Sequence, residues 1–177
     1  MRFVDLLRTA VMLSAGAATM LAIVAVLAAT RDADDTLVLI GAAWWVLAAL
    51  IGTFTGRRQQ VSQPIGRVLA DARTATMMPE HRPGAVVFNR LWPLLLSTIA
   101  AAIVGIFFAQ VPMVAAGFAI IWALAWRRQD AAVVAIEERD GSTFYVERTS
   151  PVRPIRLVRT PGFRREVPTM SSVSGTG

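Results

Sequence analysis

The most conspicuous pattern along the chain is a set of long apolar blocks with no charged residue in them. Residues 9–30 and 36–54 are two such blocks, and residues 91–126 form a third. A helix rises 1.5 Å per residue, so about 20 apolar residues cross the ~30 Å hydrocarbon layer of a bilayer. The first block therefore predicts one span. A cleaved signal peptide is its rival, because Met1-Arg2 starts a basic segment, but the apolar stretch is longer than such a peptide needs and Asp5 is unusual there.

The third block is too long for a single crossing. Gln110-Val111-Pro112 divides it, and Pro112 suits the first turn of a new helix, where its missing N–H costs nothing. The pattern predicts spans at about 9–30, 36–54, 91–109 and 112–126, the last two as a tight hairpin. The fourth is short, and a re-entrant hairpin is the alternative. Small residues recur at spacing four and predict close helix packing. Gly52 and Gly56 form a GxxxG in the second span, while Ser97, Ala101, Gly105 and Ala109 make one ridge in the third.

Between the spans, the loop 57–90 holds a short amphipathic helix. Ser62 can cap it, Pro64 suits its first turn, and Ile65, Val68, Leu69, Ala72 and Ala75 recur at helical spacing. After Trp126 the pattern changes. Val133-Val134-Ala135-Ile136 and Thr143-Phe144-Tyr145-Val146 flank Asp140-Gly141, which predicts a hairpin pairing Ile136 with Tyr145 and Ala135 with Val146. Residues 155–158 could add a third strand. The competing reading continues the fourth helix through 131–138, with Gly141 as its terminator. Residues 127–168 form this small hairpin and basic segment, and the Ser/Gly-rich end 169–177 reads as disordered.

The fold class expected is an all-α membrane bundle: four transmembrane helices, a short cytoplasmic amphipathic helix and a small C-terminal cytoplasmic β-hairpin. The 55% hydrophobic content and mean hydropathy of +0.53 agree with that class.

Charge sets the orientation. Of 18 basic residues, all arginine, 17 lie on one side of the spans (2 before the first, 6 from Arg57 to Arg90, 9 from Arg127 onward), leaving Arg31 alone on the other. The positive-inside rule then predicts both termini in the cytoplasm. Lysine-free, alanine-rich usage suggests a GC-rich bacterial source, and hence a bacterial plasma membrane.

Candidate chemistry changes this picture little. There is no cysteine, one histidine (His81) and no phosphate-loop, nucleophile-elbow or zinc-protease motif. Glu80-His81 has no visible third partner. Glu137-Glu138 would point to opposite faces of a strand, as solvated charge near a turn. No cofactor, metal or nucleic acid is expected. Ionisable groups are missing from all four spans, which argues against ion-coupled transport. The segment Arg57-Arg58, Pro64-Ile65 and Leu69-Ala70-Asp71-Ala72 resembles the first helix of a HAMP signalling linker, but the second linker helix has no counterpart before the chain re-enters the membrane.

The expected function is therefore that of a non-enzymatic multi-pass membrane protein. It would be an accessory or scaffolding subunit acting at its cytoplasmic face on a membrane protein partner, a second copy of itself, or membrane lipids with anionic headgroups. Arg148, Arg153, Arg156, Arg159, Arg164 and Arg165 are the candidate contacts. The alternative is a small channel or transporter component assembled as an oligomer.

Overall fold

A computed structural model describes residues 1–31, 35–57, 62–74, 83–147 and 155–161. Helices dominate. In chain order the elements are α1 (Phe3–Arg31), α2 (Asp35–Thr55), α3 (Gln63–Ala70), β1 (Arg73–Thr74), α4 (Pro83–Val104), α5 (Gln110–Trp126), α6 (Gln129–Asp140), β2 (Ser142–Val146) and β3 (Leu157–Pro161). Four helices are long and apolar enough to cross a membrane.

α5 is the hub, packing against α1, α2 and α4. Its interface with α2 is built on close backbone approach. Gly41 faces Met113, Gly117 lies under the Trp44 indole, Gly52 faces Ile121 and Leu124, and Gly56 meets the Leu124 carbonyl. These contacts advance in step along both helices, so α2 and α5 run parallel. A Cβ on Gly52 would lie 2.9 Å from the Leu124 Cβ and 3.1 Å from the Ile121 backbone, so only glycine allows this separation. The two indoles of α2 add polar ties. Trp45 Nε1 donates to the Met113 carbonyl at 2.9 Å and Trp44 Nε1 to Val114 at 3.4 Å, with Phe118 edge-on to Trp44. α4 is the least covered of the four.

Beyond the arginine-rich ends of these helices lies a cluster of buried apolar side chains. Phe3, Val4, Leu6 and Leu7 from the start of α1 join Ile65 of α3, Val86 of α4, Val133 of α6, and Phe144, Val146 and Leu157 of the sheet. α1 thus begins at Phe3 and α4 at Pro83, each extending its apolar block several residues into this end module. α3 contributes the amphipathic face expected of it, with Ile65 buried and Val68, Leu69 and Ala72 packed around the core. Ala75 lies outside the described residues.

The C-terminal hairpin reading is corrected. Residues 131–138 belong to α6, and Gly141 ends that helix in the left-handed region at φ 58°, its N–H donating to the Glu137 carbonyl. The predicted pairs Ile136–Tyr145 and Ala135–Val146 therefore do not form. β2 pairs antiparallel with β3 instead, from Ser142 opposite Pro161 to Val146 opposite Leu157, and β1 adds to the far side of β3 in parallel. The reason lies in the burial of α6: Gln129, Ala132, Val133 and Glu137 face inward at helical spacing. The exposed Ala131 and Ala135, with the half-buried Val134 between them, made the run look uniformly apolar.

Candidate interaction face

The end module is held by charged and polar ties that converge on α6. Near its start, Asp130 accepts from Arg8 Nε at 2.9 Å, and Gln129 Oε1 accepts the Ser62 N–H at 3.0 Å. Ser62 thus stands before α3 as its N-cap, but its hydroxyl makes no capping bond. Near the end of α6, Glu137 is 6% exposed and both its oxygens are engaged. One accepts from Arg2 at 2.7 Å and the other from the Phe144 N–H at 2.9 Å. The ties pair falling numbers in α1 with rising numbers in α6, so the two helices run antiparallel here.

Glu137 also solves a problem of sheet geometry. The outer edge of β2 presents unpaired N–H groups, and an open edge invites other strands. Met1 accepts the Val146 N–H at 3.0 Å, and Arg2 bridges to Tyr145. The two-residue terminal segment then runs into α1, and the Glu137 carboxylate stands in for the next carbonyl by taking the Phe144 N–H. A carboxylate this buried is tolerable because both oxygens have donors, one of them cationic. In return its hydrogen bond raises the Arg2 guanidinium above its ordinary value, against a smaller opposing effect of burial. The expectation that Glu137 is solvated charge near a turn is therefore corrected. In a helix, Glu137 and Glu138 take different sides, and only Glu138 is exposed.

At the α6–β2 junction, Asp140 accepts from Arg139 Nε at 2.9 Å, with Arg159 Nη2 3.9 Å away. The Arg139 hydrogen bond holds the Asp140 carboxyl below the usual carboxylate range, with a lesser pull from Arg159. Arg156 is exposed and Arg159 half-buried. Arg148, Arg153, Arg164 and Arg165 lie outside the described residues, as do Glu80 and His81. Among the described residues, no group of three His, Cys, Asp or Glu side chains converges as a metal site would require.

Of the helix-packing candidates, Gly52 and Gly56 sit in the α2–α5 contact. Gly105 and Ala109 are buried where α4 turns into α5, with a Cβ on Gly105 falling 2.7 Å from Pro112. Ser97 is exposed, its hydroxyl donating to the Leu94 carbonyl, and Ala101 is half-buried. Within one chain Ser97 is open, and the helical line runs on to Gly105, whose N–H donates to the Ala101 carbonyl at 3.0 Å, before the turn after Val104 carries Ala109 off it. Sequence reasoning passed over Arg2 and Arg8 as partners of α6. Their only signal was position, two arginines at the start of an apolar helix.

No protein-family model matches the chain, and comparisons with curated proteins and with solved structures yield no match.

Proposed function

We propose that this chain is a non-catalytic multi-pass protein of the bacterial plasma membrane with both termini in the cytoplasm. It acts as an accessory or scaffolding subunit, the apolar helices serving as anchor and the end module as the face that meets partners. The observation that carries this reading is the way the module is joined to the helices. α1 runs unbroken from the module core into its apolar block, and α6 follows α5 after a two-residue turn. Arg2–Glu137 and Arg8–Asp130 then lock the two together. Such rigidity suits a platform that fixes a docking surface at a set height above a bilayer. The exposed cations Arg73 and Arg156 favour an acidic partner surface or anionic headgroups.

The test is isolation of the tagged chain in native lipid particles. A stoichiometric protein partner should be recovered, and charge reversal at Arg73 and Arg156 should weaken it. Recovery of the intact chain alone at native abundance contradicts the scaffold reading. Truncation before β3 is a poor substitute, because it removes Leu157 from the module core.

One observation favours the alternative, a channel or transporter component assembled as an oligomer. α4 leaves Leu96, Ile99 and Ile103 more than half exposed, beside the small exposed Ser97. Flux in liposomes that Ser97→Leu abolishes would establish that reading in place of the first.

A further inference from the structure

Two shallow apolar grooves of similar size mark the helix surfaces. One, about 440 Å³, lies along α5 near its first turn and is lined by Val111, Val114, Ala115 and Phe118 with Gln110 at its end. The other, about 420 Å³, lies along the last turns of α2 between Leu50, Ile51 and Phe54, with Thr53, Thr55 and Arg57 at its rim.

Their chemistry differs in one respect that decides what each can select. The α5 groove has no charged group. The α2 groove ends on Arg57, which is exposed and makes no ion pair among the described residues. Thr55 is already committed as a donor, to the Ile51 carbonyl at 2.8 Å and the Gly52 carbonyl at 3.1 Å, so its oxygen presents lone pairs rather than a proton. The cationic donors at this rim belong to Arg57, a planar fork suited to phosphate oxygens, with the Thr53 hydroxyl beside it. An apolar trough that runs one helical turn along and then meets an unpaired guanidinium has the layout of an acyl chain followed by its phosphate.

We infer that the cytoplasmic end of α2 binds one anionic phospholipid, its phosphate on Arg57 and the upper part of an acyl chain against Leu50 and Phe54. This rests on the membrane reading proposed above. The α5 groove accepts acyl chains without regard to headgroup.

The test uses the full chain in neutral detergent, titrated with phosphatidylglycerol and phosphatidylcholine of identical chains and read by native mass spectrometry. One phosphatidylglycerol should be retained about fivefold more strongly than phosphatidylcholine, the worth of one cation near an anionic lipid. Arg57→Gln should abolish that preference, Arg57→Lys should keep most of it, and Arg156→Gln should leave it intact. Glycerophosphoglycerol, the same headgroup without chains, should not compete. Equal retention of both lipids, survival of the preference in Arg57→Gln, or competition by the chain-free headgroup each overturns the assignment. A chain that stays monodisperse without detergent and retains neither lipid overturns the membrane reading first, which separates the two failures.

Discussion

Replacing Glu137 with alanine removes one side chain and leaves two groups without partners. The Phe144 N–H, in a residue 2% exposed, loses its acceptor and cannot reach water without opening the edge of β2. Leaving a buried donor unsatisfied costs about 1–3 kcal/mol. The Arg2 guanidinium loses its carboxylate, but its side chain is 49% exposed, so solvent screening holds that loss to about 1 kcal/mol or less. Together the change should destabilise the local edge by about 3 kcal/mol, or about a hundredfold in its opening equilibrium. Amide hydrogen exchange on the chain in detergent micelles reads this directly, as faster exchange at Phe144. Glu137→Gln keeps an oxygen for the Phe144 N–H but gives up the charge and the second acceptor, its NH2 facing the half-exposed Arg2 guanidinium, so exchange should rise about fivefold. Arg2→Ala should fall between the two variants. Protection at Phe144 within about twofold of the wild type in Glu137→Ala would refute the account of β2 edge closure.

Three further outcomes follow from particular contacts. At the α2–α5 contact, Gly117→Ala drives a methyl into the rigid Trp44 indole and should lower stability by about 1–3 kcal/mol in thermal unfolding; Gly41→Ala meets the unbranched Met113 side chain, which can turn aside at a smaller cost, and Gly16→Ala, with nothing within 4 Å, should be neutral or mildly stabilising. An unordered ranking of the three would contradict the close-approach interface. Gly141→Ala has open space but a φ of 58°, so it should cost about 1 kcal/mol through backbone strain alone, and an unchanged melting temperature would count against the left-handed cap. The folded pKa of Asp140 is depressed, so its ion pairs contribute above the ordinary carboxylate range and are lost as the pH falls through the depressed value. A carboxyl NMR titration should place its midpoint below that of an ordinary aspartate, with Arg139→Gln raising it more than Arg159→Gln; the reverse order would contradict the assignment of cause.

The long helices were legible in the sequence because uncharged runs of about twenty residues leave few alternatives. Pro112 in the first turn of α5 and Ser62 before α3 were readable for a similar reason, since each residue type tolerates few positions. The module was not legible. Its strands are two to five residues long and pair across large separations, Arg73 with Val158 and Thr74 with Arg159. No local pattern encodes such a register. α6 was misread because the small apolar residues on its exposed sides hid the helical period of its buried ones. Glu137 was misread with it, since the face of a carboxylate follows from the type of element that carries it. In the third block the spacing-four line holds from Ser97 to Gly105, and the turn after Val104 moves Ala109 off it, a break that no residue pattern before Pro112 announces.

The central claim is that four helices cross a bilayer and leave the end module, with both termini, on the cytoplasmic side. Because the chain contains no cysteine, single replacements report position without interference. Thr36→Cys, beside the short connection between α1 and α2, and Thr74→Cys, in β1 of the module, should be compared for labelling by a membrane-impermeant maleimide in intact cells. The account predicts labelling at position 36 in intact cells, and at position 74 only after permeabilisation. Labelling of position 74 from outside, or equal labelling of both, would contradict it.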